Sequence, residues 1–323
     1  MSDGDGSEGS GDEAGTEPAA ATDRGATDDS EPTPTAVFEL LADETRLDIV
    51  RELAAARQSN WQWSGASFAE LRRAVGVTDA GNFSYHLEKL RGPLVVKDGD
   101  EYHLRNRGME LVGAVESGQY AGAGTPLRGE TRYDCPYPDC DRNLVGVYEN
   151  QYFRVRCPDH HVFTGTALPP VVAEHNSIAA LVSVALLDMR QQLQRARAGV
   201  CPSCWGPIEG QLPGRDASVP GLDDVELPDD ALLATFHCAQ CGLSFDIPPG
   251  ACVVEHPAVV AFYHDHGENV RDRPYVDLPF CHVGRGDLES TAPVRVRIAV
   301  ELGADLLTLW LDSDTTVVEY ERG

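Results

Sequence analysis

Two cysteine pairs with the same two-residue spacing constrain the fold of this chain more than any other feature. Cys201 is paired with Cys204, Cys238 is paired with Cys241, and a glycine follows each pair within two residues. Two residues between thiolates let one tight turn aim both sulfurs at a single ion, and two such turns complete a tetrahedron. Free buried cysteines or a redox pair are the alternatives. The spacing predicts a structural zinc ribbon over residues 199–252, with an acidic inserted loop at 223–230.

A second set of potential metal ligands lies upstream. Its members are Cys135, Cys140, Cys157 and His160, with His161 as the competing fourth ligand. Between its halves, residues 144–148 and 152–156 are typical of two strands joined by a tight turn, which is the hairpin that closes a zinc ribbon. The pattern predicts a ribbon over residues 131–168, and the two sites together predict two structural zinc ions per chain. Unmetallated cysteines are the alternative here.

The two remaining cysteines, Cys252 and Cys281, have no partner at ligand spacing, and we expect them to be core residues or free thiols. The N-terminus is acidic and has neither a basic start nor an apolar run, so it does not resemble a signal peptide. No stretch reaches 18 apolar residues, so no membrane span is expected. Metal-bound thiolates in a reducing cytoplasm fit these features best.

The charge balance is strongly acidic, with a formal net charge of −26. Of the 26 basic residues only two are lysines, Lys89 and Lys97. Carboxylates keep a surface hydrated when molar salt screens their repulsion, so the composition is typical of a halophilic cytoplasm. A high-GC genome would produce the same preference for arginine. Net charge therefore argues neither for nor against DNA binding.

Composition and periodicity divide the chain into segments. Residues 1–33 contain almost no large apolar side chain and predict a disordered acidic tail. A globular segment covers residues 34–118, and a glycine-rich linker follows it. Residues 171–198 carry apolar side chains at helical spacing and predict a helix that packs the two ribbons together. Its predicted polar face consists of Asp188, Arg190, Gln191, Gln194 and Arg195.

The last segment, residues 253–323, predicts a small α+β unit. A helix begins at Pro257, and His264 and His266 are expected to be surface residues of that helix rather than metal ligands. Alternating apolar residues over 294–302 and 306–311 then predict an antiparallel meander that closes at 316–320. The predicted fold class is α+β throughout.

Residues 34–118 have the pattern of a helix-turn-helix. Two helices are predicted from Ala36 and from Asp43 or Glu44. Ser67 is expected to cap a third helix with Glu70 completing a capping box, Gly76 to form the turn, and Thr78 to cap a fourth helix over residues 79–90. Residues 94–104 then predict a hairpin that turns at 97–100, in the place of a wing.

The runs 40–53 (LLADETRLDIVREL), 68–71 (FAEL) and 82–90 (NFSYHLEKL) resemble an ArsR-type winged helix-turn-helix. The resemblance covers about a quarter of the chain, and it implies a homodimeric transcriptional regulator that binds double-stranded DNA. Residues 34–118 contain no cysteine, so the metal-sensing motif of some family members is absent. The downstream extension resembles those of haloarchaeal regulators of this type.

The predicted DNA-contacting residues lie on the fourth helix, at its start and in the wing. With Phe83, Leu87 and Leu90 facing the core, the remaining side chains can reach base edges or phosphates. The predicted set is Thr78, Asn82, Ser84, Tyr85, His86, Lys89 and Lys97.

The sequence carries no catalytic signature, and a closed four-thiolate site has no open coordination position. We therefore expect no enzyme activity. The sequence favours a DNA-binding regulator whose zinc domains contact an effector, a second subunit or a partner. A basal transcription-machinery adaptor, built from a winged helix and a zinc ribbon, and a thiol- or zinc-responsive sensor are the alternatives.

Overall fold

The computed structural model describes residues 34–59, 65–120, 122–135, 140–159, 161–214 and 231–323. The predicted acidic tail and the predicted loop at 223–230 lie outside these ranges. Over the described residues the chain is a mixed α+β protein with eight α-helices and four antiparallel sheets. It divides into two compact units, with the boundary between Val112 and Gly113.

The first unit combines helices with one small sheet. Its elements are α1 (Pro34–Leu41), α2 (Glu44–Ser59), β1 (Ala66–Ser67), α3 (Phe68–Val75), α4 (Ala80–Leu90), β2 (Val95–Asp98), β3 (Glu101–Leu104) and the start of α5 (Asn106–Glu116). The sheet order is β1-β3-β2, so the two-residue strand β1 pairs with the second strand of the β2–β3 hairpin.

Local sequence signals fix the ends of α3 and α4. The capping box of Ser67 and Glu70 is present, and Gly76 ends α3 in the left-handed conformation, as predicted. The predicted cap of α4 is wrong by one residue. The Asp79 carboxylate, not Thr78, accepts the N–H of Asn82 at 2.7 Å, because a carboxylate at this position also complements the helix dipole.

The core of the first unit is built where these helices meet the sheet. Phe83, Leu87 and Leu90 of α4 are buried, as predicted. They pack with side chains of α2, α3 and the hairpin in one cluster, which includes Ile49, Val50, Leu53, Leu71, Leu94, Tyr102 and Leu104. One face of α4 is therefore fixed in the core, and its opposite face is exposed.

The second unit begins with a four-stranded meander. Its strands are β4 (Leu127–Asp134), β5 (Asn143–Glu149), β6 (Tyr152–Cys157) and β7 (His161–Ala167), in the order β4-β5-β6-β7. Asn150 and Gln151 both have positive φ, 52° and 60°, which is the two-residue turn that matches strand twist in a hairpin. The predicted hairpin is confirmed, and the structure adds one strand on each side of it.

The predicted helix over 171–198 is two helices, α6 (Pro170–His175) and α7 (Ile178–Arg197), because Ser177 caps a new helix by accepting the N–H of Ala180. The first half of α7 packs under the meander through Leu181 and Ala185. Its second half packs through Leu193 and Ala196 into the core that follows. One helix therefore serves both cores, as predicted.

Arg190 departs from its predicted place on the polar face of α7. It is buried, and its guanidinium donates to the carbonyls of Val270 and Arg273 at 2.9 and 2.6 Å. These carbonyls offset the cost of burying the charge, and nothing in the helical spacing signals them.

A three-stranded sheet and a second meander complete the unit. Their elements are β8 (Ile208–Gln211), β9 (Ala234–Cys238), β10 (Ser244–Ile247), α8 (Pro257–Asp265), β11 (Asp287–Thr291), β12 (Val294–Leu302), β13 (Asp305–Leu311) and β14 (Val317–Arg322). The sheet orders are β10-β9-β8 and β11-β12-β13-β14. Phe236 of β9, Phe262 of α8 and Leu309 of β13 belong to one buried cluster. The predicted segments 199–252 and 253–323 therefore share a single core.

Candidate metal centres and the exposed face of α4

The four cysteines at 201, 204, 238 and 241 converge, with their sulfurs all within 4.8 Å of one another. The Cys201 and Cys241 sulfurs are 3.7 Å apart, and those of Cys204 and Cys238 are 3.6 Å apart. A disulfide requires about 2.05 Å, so these pairs are not bonded. A tetrahedron with metal–sulfur bonds of about 2.3 Å has edges of about 3.8 Å. The geometry is compatible with a single tetrahedral metal ion.

The backbone presents the two pairs in the same way. In the first, the N–H of Trp205 donates to Cys201 O and the N–H of Cys201 donates to Gly206 O. In the second, Gly242 and Leu243 make the equivalent bonds with Cys238. Each turn also needs a left-handed residue at the fourth position after its first cysteine, with φ of 63° at Trp205 and 77° at Gly242. The two turns are therefore matched halves of one site.

The charges in this cluster favour a bound cation. Burial opposes ionisation of Cys201, but the N–H groups of Cys204 and Ser203 donate to its sulfur, and the pKa of Cys201 falls to about 7. At Cys204 the N–H of Gly206 favours the thiolate, yet burial and the neighbouring sulfurs outweigh it and raise the pKa to about 12. One thiolate is thus stabilised, and a second is opposed because it lies beside the first. A divalent cation among the sulfurs removes this opposition.

The upstream cysteines form a second cluster of three. Cys135 directly follows β4, Cys157 is the last residue of β6, and Cys140 lies between β4 and β5 with its sulfur 3.6 Å from that of Cys157. The backbone N–H of Arg142 donates to the Cys140 sulfur and lowers the pKa of that thiol. The predicted fourth ligand, His160, lies outside the described residues, and so does the side chain of His161. The three described sulfurs are compatible with metal binding.

Cys252 and Cys281 lie outside both clusters and are fully or nearly fully buried. Burial raises the pKa of Cys252 to about 12 and that of Cys281 well above its usual value. Both are neutral thiols of the core, in agreement with the prediction for cysteines without a partner at ligand spacing.

The exposed face of α4 carries most of the predicted DNA-contacting side chains. Thr78, Asn82, Tyr85 and Lys89 are exposed, and Ser84 is half-buried. Tyr85 is 59% exposed, and the Lys89 ammonium lies 5.7 Å from the centre of its ring. In the described part of the chain, the side-chain amide of Asn82 has no hydrogen-bond partner.

Two other predicted residues have local partners. His86 is turned toward α2, with its Nδ1 3.2 Å from an Asp43 carboxylate oxygen and only 13% of its side chain exposed. Lys97 is exposed at the end of the β2–β3 hairpin, and its ammonium lies 5.5 Å from the centre of the Tyr102 ring. His86 is therefore not part of the exposed face of α4, whereas Lys97 is exposed on the β2–β3 hairpin.

Sequence reasoning missed a groove beside the four-cysteine cluster. It has a volume of about 520 Å³ and is lined by Gln191, Gln194, Arg195, Ala198, Val200 and Trp205. Trp205 is 71% exposed, although the left-handed conformation costs a residue other than glycine about 1–2 kcal/mol. A tryptophan directly after a Cys-x2-Cys pair, where the other pair has glycine, is the signal that would have found it.

Two family models match the chain. The chain belongs to the family described as domain of unknown function (DUF7351), whose model matches residues 133–317, more than half of its length. A second domain of unknown function (DUF7347) matches residues 34–115. Comparison with curated proteins gives no significant match, and comparison with solved structures gives none either. In the described residues, no helix is both long and apolar enough to cross a membrane.

Proposed function

We propose that this protein is a DNA-binding transcriptional regulator of the ArsR type, in which residues 34–118 form a winged helix-turn-helix and zinc ions stabilise the second unit. The order of elements supports this assignment. α3 and α4 are joined by residues 76–79, the β2–β3 hairpin follows in the place of a wing, and β1 pairs with that hairpin. A helix pair joined by a short glycine turn is the arrangement that places its second helix in a major groove.

The observation that carries the proposal is the two-sided character of α4. Three large apolar residues fix its inner face in the core, and Asp79 caps its start. Its outer face offers an amide that has no partner among the described residues, an exposed phenol and an ammonium, from Asn82, Tyr85 and Lys89. Asparagine pairs with the N6 and N7 atoms of adenine, while tyrosine and lysine reach phosphates or base edges.

This chemistry suits a salty cytoplasm. Phosphate contacts lose affinity steeply as salt rises, because their binding energy comes from counterion release. A helix whose outer face carries polar, mostly uncharged side chains depends less on counterion release for its binding energy. Lys89 and Lys97, the two lysines of the chain, both lie in this unit and supply the phosphate contacts of the proposal.

A homodimer is part of the proposal, because two copies of α4 would then read two half-sites of a palindrome. Phe38 of α1 is 64% exposed, and a large exposed apolar side chain is a natural contact for a second subunit. The metal in both clusters is proposed to be zinc, since cysteine-rich tetrahedral sites favour it.

The test is quantitative binding to a genomic fragment recovered by chromatin immunoprecipitation of the tagged protein. Asn82→Ala should weaken binding by about tenfold to a hundredfold and relax sequence preference at one position, because a bidentate base contact contributes about 1–3 kcal/mol. Tyr85→Ala should weaken binding to a similar degree. Lys97→Ala should instead weaken all sequences alike and reduce the salt dependence by about one unit.

Asn106→Ala, on an exposed asparagine of α5 outside the predicted DNA-contacting set, is the matched control, and the thermal transition verifies that each variant is folded. If Asn82→Ala and Tyr85→Ala bind like the parent, α4 does not read the DNA. Occupancy at most promoters, rather than at a few, would instead identify a basal adaptor.

A further inference from the structure

We propose that the groove beside the four-cysteine cluster binds single-stranded nucleic acid, with an unpaired base stacked on Trp205. This inference concerns the second unit and an unpaired strand, so it goes beyond the duplex reading proposed for α4. The two matched turns of the four-cysteine cluster differ at one backbone position, which is Gly242 in one turn and Trp205 in the other.

Among the described residues, the contact that the Trp205 ring makes is with the guanidinium of Arg195, at the rim of the groove, and not with the hydrophobic core. Glycine adopts the left-handed conformation without strain, as Gly242 does, whereas tryptophan does not. The Trp205 side chain is 71% exposed and is not part of the hydrophobic core. Strain retained at an exposed aromatic residue points to a use for its ring.

The second wall of the groove comes from the last turns of α7. Gln194 and Arg195 lie three and four residues after Gln191, so both share a face of the helix with it. The Arg195 guanidinium lies 4.9 Å from the centre of the Trp205 ring and also donates to Pro202 O at 2.8 Å. A flat ring, a cation and two amides thus converge on one space.

These groups match the parts of a nucleotide. A base stacks on an exposed indole, glutamine amides offer both donors and acceptors to a base edge, and arginine binds phosphate. None of the residues lining the groove is acidic, although the chain has a net charge of −26. The groove is an open depression of about 520 Å³, which leaves an extended strand room to enter and leave.

The same features disfavour the two nearest competitors. Grooves for proline-rich peptides are lined by several aromatic rings, and this one has Trp205 alone among its lining residues. A duplex keeps the faces of its bases stacked inside the helix, so only an unpaired strand can stack on the indole.

The test uses the full-length, zinc-loaded protein and labelled single strands of about 12 nucleotides, as DNA and as RNA, followed by fluorescence anisotropy. Trp205→Gly should weaken binding by about tenfold or more, while zinc content and the unfolding transition stay at parental values or improve. Tyr120→Gly removes an equally exposed aromatic, also 71%, and should bind like the parent. Gln194→Ala should weaken single-strand binding several-fold. If Trp205→Gly loses zinc, the binding measured for Gln194→Ala tests the proposal in its place.

Parental binding by Trp205→Gly or by Gln194→Ala would overturn the proposal, as would an absence of binding by the parent to both kinds of strand. A proline-rich peptide that binds the parent but not Trp205→Gly, with no single-strand binding, assigns the groove to a protein partner and also overturns it. Asn82→Ala should retain single-strand binding. The failure of one proposal is therefore distinguishable from the failure of the other.

Discussion

At the scale of single residues, cysteine has two roles in this chain, and its surroundings decide between them. In the four-cysteine cluster, backbone N–H groups point at the sulfurs and lower the pKa of Cys201. At Cys252, burial raises the pKa to about 12, so the thiol stays neutral. The same side chain is suited to metal binding where backbone N–H groups stabilise its anion, as at Cys201, and to an apolar core where burial dominates, as at Cys252.

We expect Cys204→Ser to lower the zinc content from two ions per chain to one and to unfold the region around β8–β10. Structural zinc stabilises such small modules by on the order of 10 kcal/mol, and three thiolates without the fourth hold the ion poorly. Zinc analysis by mass spectrometry and the thermal transition of the purified protein measure both effects.

Cys252→Ser is the matched control for that experiment, because it changes a buried cysteine of the same core without touching either cluster. It should keep both zinc ions and lose only about 1–3 kcal/mol of stability, for placing a hydroxyl in an apolar site. A Cys204→Ser protein that retains two zinc ions would show that the four sulfurs do not hold a metal.

The sequence predicted correctly the contacts of residues whose partners are close along the chain, and it missed contacts between distant residues. The Cys-x2-Cys spacing, Ser67 with Glu70, and Gly76 are local signals, and the structure agrees with each. Arg190 bonds to carbonyls that are 80 and 83 residues away, so its place on a polar face was predicted wrongly. The groove at Trp205 was missed for a different reason. Its lining residues lie close along the chain, between 191 and 205, but periodicity does not show that the end of α7 and the turn face each other.

At the scale of elements, a histidine adds a titratable contact between α8 and the second meander, beside the ion pair of Asp265 with Arg322 of β14. His266 at the end of α8 bonds to Phe262 O through Nδ1 and to Asp305 of β13 through Nε2, at 2.7 and 3.0 Å. The backbone bond to Phe262 and the Asp305 carboxylate raise the pKa of His266 above its ordinary value, although burial and Arg322 oppose this. The sequence predicted His266 to be a surface residue of α8, whereas the structure places it directly after the helix, half-buried and bonded to both Phe262 and Asp305.

A raised pKa in the folded state means that folding favours protonated His266. Its contribution to stability should be fully present below the unfolded-state pKa of about 6.5 and should be lost as pH rises through the folded-state pKa. His266→Gln should therefore destabilise the protein more at pH 5.5 than at pH 8.5, as measured by chemical unfolding at the two pH values.

His264→Gln is the control for removing an imidazole from the same helix, since His264 is exposed. Equal destabilisation by His266→Gln at both pH values would show that the bond to Asp305 does not depend on protonation.

At the scale of the whole molecule, the two units differ in what stabilises them. The first unit is a helix–sheet core of aliphatic and aromatic side chains, and no metal-ligand cluster is found among its described residues. The second unit contains both clusters, and the sheet of the four-cysteine cluster shares its core with the second meander. The sequence predicted separate domains at 199–252 and 253–323 because turn residues separate them, and periodicity does not reveal which faces pack together.

Zinc removal should therefore act on one unit alone. With an excess of chelator, hydrogen exchange should accelerate in β5–β6, in β9 and in the strands β12–β13 that share its core, while α3 and α4 keep their protection. The same chelator saturated with zinc is the control. Loss of protection in α4, or retained protection in β9, would contradict the expectation that only the second unit depends on a metal.

The separation of the two cysteine pairs along the chain has a consequence for protein synthesis. Cys204 and Cys238 are 34 residues apart, whereas Cys140 and Cys157 are only 17 apart. At about 5–20 residues per second, the ribosome takes roughly 2–7 s to supply the second half of the four-cysteine site after the first half emerges. During that interval the thiols of Cys201 and Cys204 are without the second pair and are open to oxidation. The order in which the ribosome delivers ligands thus makes the four-cysteine site the slower and more vulnerable of the two to assemble.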